Sequence, residues 1–200
     1  MKKIGIMGGT FNPIHNGHLL LAERAYEAYA LDQIIFMPTR QPAYKVDTEI
    51  ASEEIRADMI RMSIANKSYF HISTLEYERE GNTYTIDTME MLLEKYRDCI
   101  FYFIIGADSL FQLEHWHRAV DLMKITHFLV ATRNFESIES MKAQAEKLRQ
   151  KYGANIAFIP FPTMEISSSN IRKRCKEQLS ISYLVPENVE AYIKERKLYM

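Results

Sequence analysis

Two histidines and three glycines crowd one stretch of this chain, Gly8-Gly9-Thr10-Phe11-Asn12-Pro13-Ile14-His15-Asn16-Gly17-His18. Adjacent glycines let a backbone turn sharply and approach a ligand with no Cβ in the way. A helix opening here would present free N–H groups and a partial positive charge, which together favour an anion. His15 and His18 are three apart, so both rings can lie on one face of that helix. Two imidazoles over a helix N-terminus suit a polyphosphate. A zinc site would need further ligands, and no acidic or cysteine partner stands nearby at metal spacing. The stretch matches neither the G-x-G-x-x-G of a dinucleotide loop nor the G-x-x-x-x-G-K-S/T of a P-loop. A plain structural loop is the remaining alternative.

A second cluster is Ile166-Ser167-Ser168-Ser169-Asn170-Ile171-Arg172-Lys173-Arg174. Serines cap helices, and in the bland reading the cations are merely solvated. Placed in a first turn, those cations would oppose the helix dipole by about 0.3–1 kcal/mol each, which a bound anion would offset. Together with the histidine loop, the pattern predicts a second phosphate-binding helix terminus.

Elements of regular structure must hold these clusters in place. Lys3–Met7, Gln33–Met37, Ile100–Ile105, His127–Ala131 and Asn155–Ile159 read as buried strands, and Tyr69–Leu75 as a weaker one. Helical spacing marks 17–30, 53–66 with Ser52 as N-cap, a segment to about Arg97 capped by Thr85 or Asp87, and 137–152. Two more helices start near Ser168 and at Pro186. Continuous apolar strands alternating with amphipathic helices predict an α/β fold, a doubly wound parallel sheet with helices on both faces and a small helical C-terminal portion. One domain over 1–200 is expected, with about 165–200 as that portion. Such sheets bind ligands beyond the carboxyl ends of their strands. That selects the histidine loop, Thr39–Lys45, Gly106–Trp116, Thr132–Asn134 and the loop before the Ser167 helix. Met59, Met62, Met89 and Met91 read as packing residues, and His71 and His127 as structural.

Composition narrows the class. Of 200 residues, 47% are hydrophobic and 26% charged, enough for an ordinary core and unlike disorder or coiled coil. Lys plus Arg is 25 against 26 for Asp plus Glu, a net charge of −1. A nucleic-acid binder normally shows a basic excess, so any phosphate bound here is expected to be small and met locally. Cys99 and Cys175 are too few for a disulfide framework and read as thiols of a reducing compartment. The apolar part of Met1–Gly9 is too short for a signal-peptide core, and no window reaches the roughly 18 apolar residues of a membrane span. A cytoplasmic location is expected, with no membrane and no nucleic acid as partner; the residues leave the oligomeric state open.

Gly8 to Leu19 closely resembles the first signature of the HxGH nucleotidyltransferases, and Ile166 to Arg172 resembles their second, I-S-x-S/T-x-I-R. Within that superfamily the chain resembles bacterial nicotinate mononucleotide adenylyltransferases from end to end. Pro38–Lys45, Gly81–Thr88, Phe103–Asp108, Trp116 and the ending Leu184 to Tyr199 carry the closer likeness. The resemblance implies a Rossmann-like sheet and transfer of AMP from ATP to nicotinate mononucleotide. The products would be nicotinate adenine dinucleotide and pyrophosphate, a step in making NAD, with Mg²⁺ carried by ATP rather than by protein side chains. It implies that His15, His18, Lys45 and Arg172 act on the phosphates, and that Gly8, Gly9, Thr10, Phe11, Arg133, Ser167 and Ser169 complete the ATP site. It implies that Trp116 stacks on the pyridine, that Tyr84 and Thr85 line its pocket, and that Gly106 and Asp108 serve the mononucleotide. The chain departs from the family's motifs at Asn12, where Asp is common, at Tyr44 in place of a histidine, and at His117 in place of Tyr. Thr132-Arg133-Asn134 lacks the usual proline and glycine.

Two rival functions fit parts of the pattern. A related enzyme with another acceptor, nicotinamide mononucleotide or phosphopantetheine, would keep both phosphate motifs. A nucleotide sensor without turnover would keep the binding residues, although retention of both histidines, Lys45, Asp108 and Arg172 argues for turnover.

Overall fold

A computed structural model describes residues 1–40, 50–79, 81–132, 138–162 and 164–200. Among them, six strands form one sheet: β1 (Lys2–Gly9), β2 (Gln33–Pro38), β3 (Phe70–Ile72), β4 (Cys99–Ile105), β5 (His127–Thr132) and β6 (Asn155–Pro160). All neighbours run parallel, in the spatial order β3-β2-β1-β4-β5-β6. The chain starts in the middle, builds outward through β2 and β3, then returns beside β1 as β4. The reversal of strand order between β1 and β4 opens a crevice at their carboxyl ends.

The helices are α1 (Asn16–Tyr29), α2 (Glu53–Ile64), α3 (Thr85–Lys95), α4 (Ala107–Gln112), α5 (Ala119–Ile125), α6 (Ile138–Tyr152), α7 (Ser168–Lys176) and α8 (Glu187–Glu195). Successive strand side chains point to opposite faces, and the core divides accordingly. Ile4, Ile6, Phe101, Phe103, Phe128 and Val130 face α3 to α6. Met7, Ile104, Leu129 and Ala131 face α1, α2, α7 and α8. Each fully buried Ile, Leu or Phe contributes roughly 1.5–3 kcal/mol, so burial on both faces holds the helices to the sheet.

The doubly wound sheet is as expected, while several local features differ from the sequence reading. Residues 106–125 hold two short helices, α4 and α5, with a 3-10 turn over Leu113–His115 between them. Their lengths, six and seven residues, are too short for an amphipathic repeat to register. A second 3-10 turn covers Leu75–Glu78. The N-cap of α3 is Tyr84, with no side-chain bond; Asp87 instead pairs with Arg79 at 2.6 Å. Pro186 is the N-cap of α8 rather than its first turn. Lys173, Arg174 and Lys176 lie in the last turn of α7, where cations complement the helix dipole. The cost assigned to them from the sequence therefore does not arise.

Candidate active site

The crevice between β1 and β4 leads into a cleft of about 710 Å³. Its floor is the strand ends Met7-Gly8-Gly9 and Ile104-Ile105-Gly106. Gly8 belongs here for a packing reason, because a Cβ would stand 2.8 Å from the Phe103 ring.

His15 and His18 form one wall, and their geometry follows from the start of α1. His15 is the N-cap in extended conformation, and its Nδ1 accepts the backbone N–H of His18 at 3.3 Å. His18 Nδ1 in turn accepts the backbone N–H of His15, also at 3.3 Å. This is a capping box built from two imidazoles in place of the usual hydroxyl and carboxylate. The rings stack with centroids 3.6 Å apart at 19°. With Nδ1 an acceptor in both rings, each neutral imidazole carries its proton on Nε2. Burial pulls His15 down to about 4, against a smaller opposing effect of its own backbone hydrogen bond. His15 is therefore neutral at physiological pH and serves as a hydrogen-bond donor without a charge to desolvate. Phe11 lies edge-on to His18 at 5.0 Å, buried and at φ +49°, a strained setting for a bulky residue that the surrounding core must enforce.

The opposite wall is the start of α7. Ser167 caps it by accepting from Asn170 N at 3.2 Å. Ser168 donates to the Pro13 carbonyl at 2.8 Å, and Arg172 Nη1 donates to the Asn12 carbonyl at 3.0 Å. The second motif is thus tied directly to the first. Asn12 Oδ1 accepts from Ala51 N at 3.1 Å and from the Tyr199 hydroxyl at 2.7 Å, which brings the C-terminal segment into the same network. Burial pushes the Tyr199 phenol far above its ordinary range, so it stays a donor. An amide oxygen suits two donors as well as a carboxylate oxygen would, so Asn12 can stand where Asp is common.

Arg56, 1% exposed, is the hidden hub of the loops. Its Nη1 donates to the carbonyls of Thr10 and Thr39 at 2.8 and 2.7 Å, its Nε to Ala51 at 3.0 Å and its Nη2 to Arg40 at 3.2 Å. Only the fork of a guanidinium can serve four converging carbonyls at once.

At the other end of the cleft stand Trp116, Thr85, Gly106 and Ser109, together with Thr39, Thr83 and Glu76. Trp116 is half-buried, edge-on to Phe103 at 6.3 Å. Glu76 is buried and accepts from Thr88 at 2.8 Å. Burial pushes its carboxyl up to about 7, against the Thr88 and Thr39 hydroxyls and the Arg79 charge.

Of the residues singled out from the sequence, Gly8, Gly9, His15, His18, Thr85, Gly106, Trp116, Ser167, Ser169 and Arg172 line this one cleft. Thr10, Phe11, Tyr84 and Asp108 do not line it. Thr10 supplies a carbonyl to Arg56, and Phe11 packs beneath His18. Tyr84 stacks on His117 at 4.1 Å, and Asp108 is exposed on the first turn of α4. Lys45, Tyr44 and Arg133 lie outside the described residues. Arg56 and Glu76 escaped sequence reasoning, while Thr39 and Thr83 lay in selected segments without being singled out. Nothing in Leu75-Glu76-Tyr77-Glu78-Arg79 marks which carboxylate is buried, and Arg56 looks like any helix-surface cation. Among the described residues no cluster of His, Cys, Asp and Glu could hold a metal ion, and no helix is long and apolar enough to cross a membrane. The cleft offers hydrogen-bond donors to phosphate, a donor set that fits a divalent cation arriving on its polyphosphate.

The class of protein follows from a family model described as cytidylyltransferase-like, which matches residues 6–174. A probable nicotinate-nucleotide adenylyltransferase of Lachnoclostridium phytofermentans is 48% identical over 200 residues, covering all of both chains. Another, of Clostridium novyi, is 39% identical over 199 residues, again covering all of both. The chain belongs to the nicotinate-nucleotide adenylyltransferase family, as the end-to-end resemblance beyond its two superfamily motifs implied. The fold is shared with the Plasmodium falciparum nicotinic acid mononucleotide adenylyltransferase complexed with NaAD, with a TM-score of 0.82 at 22% identity, over 100% of this chain and 98% of that one.

Proposed function

We propose that this protein transfers AMP from ATP to nicotinate mononucleotide, releasing pyrophosphate and forming nicotinate adenine dinucleotide for NAD synthesis. The observation that carries the reading is the pairing of two stacked imidazoles, each with Nδ1 bound to a backbone N–H, with the N-terminus of α7 and Arg172 across one cleft. The acceptor's 5′-phosphate oxygen is already ionised, so direct in-line attack on the α-phosphorus needs neither a general base nor a covalent enzyme intermediate. Catalysis is then positioning and charge stabilisation. His15 and His18 donate to the ATP phosphates. Ser167, Ser169 and Arg172 hold the β- and γ-phosphates, where charge accumulates on the leaving pyrophosphate. Gly8 and Gly9 let the nucleotide lie close to the backbone, with Thr10 and Phe11 supporting the loop. Lys45 and Arg133 add positive charge from their loops. Mg²⁺ bound to the polyphosphate supplies further neutralisation when ATP is present. Trp116 covers the pyridine and Thr85 and Gly106 form its pocket, with Tyr84, stacked on His117, supporting Thr85 from outside the lining; Asp108, at the start of α4, accepts from a ribose hydroxyl once the mononucleotide is bound. One domain over residues 1–200 carries this activity, in the cytoplasm, where Cys99 and Cys175 stay reduced.

The test is pyrophosphate release with ATP and Mg²⁺, comparing nicotinate mononucleotide, nicotinamide mononucleotide and phosphopantetheine. Preference for the first supports the reading. Preference for another acceptor overturns the roles given to Trp116, Tyr84 and Thr85. ATP binding without release by any of them would make the protein a sensor. His18→Ala should lower turnover by about a thousandfold with folding intact; unchanged turnover sinks the phosphate role of the pair.

A further inference from the structure

One buried group in the cleft wall has no part in the mechanism above. Glu76 is 7% exposed and Thr83 9%, and both line the same cleft as Thr85, Gly106 and Trp116; Glu76 is bonded to Thr88, one turn on from Thr85 in α3. Glu76 Oε1 is satisfied by Thr88, while Glu76 Oε2 and Thr83 Oγ1 are buried with no hydrogen-bond partner. Two unpaired oxygens in one wall mark a polar surface whose hydrogen-bonding capacity is unspent, which is costly unless something polar comes to it. An ionised carboxylate would make that cost far larger.

We propose that Glu76 sets the choice, at the Trp116 end of the cleft, between an acceptor whose ring bears a negative charge and one whose ring substituent is neutral. The inference rests on the acceptor being a pyridine mononucleotide. With its proton on, Glu76 presents a neutral wall that an anionic ring substituent can approach. With its proton off, it places a like charge behind that substituent in a poorly solvated cleft, where the effective dielectric is far below that of water. The neutral substituent loses much less.

The groups around Glu76 define what else titrates. On its own turn, Tyr77 is pushed by burial up to about 12 and stays neutral. Arg79 is engaged by Asp87 of α3 at 2.6 Å, and α3 also supplies the Thr88 hydroxyl. From the end of β2 come the Thr39 hydroxyl and Arg40, which is paired with Glu53 of α2 at 3.1 Å. Arg56 of α2 lies over the Tyr77 ring at 5.5 Å. The arginines remain charged throughout the range of interest. His117, stacked on Tyr84 beside Thr83 and Thr85, is the one neighbouring imidazole among the described residues. Its ring is a second polar group near the acceptor end of the cleft, so it needs its own control.

The experiment is the ratio of kcat/KM for nicotinate mononucleotide to that for nicotinamide mononucleotide, measured from pH 6 to pH 8.5. The acceptor phosphate, ATP and the stacked histidine pair titrate alike in both arms and cancel in the ratio. The native protein should lose about tenfold or more of its preference for the acid as pH rises. Glu76→Gln should hold the low-pH ratio across the range, and His117→Asn should leave the decline in place. A flat ratio in the native protein overturns the inference, as does a decline that survives Glu76→Gln. If Glu76→Gln fails to fold, His117→Asn decides, since a decline that disappears there belongs to His117. Absence of any turnover with nicotinate mononucleotide would instead overturn the functional reading on which the inference rests.

Discussion

Replacing Arg56 tests whether one buried guanidinium holds the loops around the cleft. Arg56→Met keeps the length and apolar stem but removes the donors to Thr10, Thr39, Arg40 and Ala51. A hydrogen bond from a charged group is worth about 1.5–3 kcal/mol, so four of them nominally sum to roughly 6–12. That sum overstates the loss. The cation's desolvation cost disappears with it, and water can reach carbonyls at the edge of a cleft. The expected net loss is about 3–5 kcal/mol, within the range for breaking a buried charged network and below the 5–15 kcal/mol that a native domain typically has. With an m value of about 2 kcal/mol/M, the urea midpoint should fall by about 2 M, followed by the fluorescence of Trp116. Arg56→Lys keeps the charge but presents one nitrogen in place of a fork, and should fall between the two. Thr39 lines the cleft and Thr10 follows Gly9, so KM for both substrates should rise in the folded variants. A midpoint shift in Arg56→Met under about 0.5 M would refute the reasoning, because the carbonyls would then be served equally well by water.

Three further changes probe the histidine pair and Glu76. The folded pKa of His15, about 4, lies below its unfolded value of 6.5, so its contribution is present above pH 6.5 and lost as pH falls toward 4. Glu76 runs the other way: folded near 7 against 4.5 unfolded, its contribution is present below pH 4.5 and lost as pH rises toward 7. Each is worth on the order of 3 kcal/mol, and the two slopes oppose one another between pH 4.5 and 6.5. His15→Asn, which keeps a capping acceptor, should therefore become less stable as pH rises through that window, and Glu76→Gln more stable. Parallel unfolding profiles for all three proteins would contradict both assignments. Gly17→Ala would put a Cβ 3.1 Å from His15 Nδ1. The gain of about 1 kcal/mol in helix propensity should roughly offset the crowding, leaving stability within about 1 kcal/mol while kcat/KM falls about tenfold. Unaltered kinetics would mean that the ring positions are not critical.

The amino-acid sequence by itself determined the sheet and the two phosphate motifs. Ile100 to Ile105 and His127 to Ala131 are apolar on both faces because both faces are covered, and that pattern needs no partner to be legible. Likewise His15, His18 and the serines before α7 declare their chemistry by type and spacing, because capping and helix periodicity are local. Only the tertiary structure decided the rest, since burial is a property of position and not of residue type. That Arg56 is a hub, that burial raises the Glu76 carboxyl, and that Tyr84 turns to His117 depend on which elements the reversal between β1 and β4 brings together. The same holds for the capping box. Its residues are only three apart in sequence, but the stacking of two imidazoles at 3.6 Å and the depressed basicity of His15 arise from the core that closes over them.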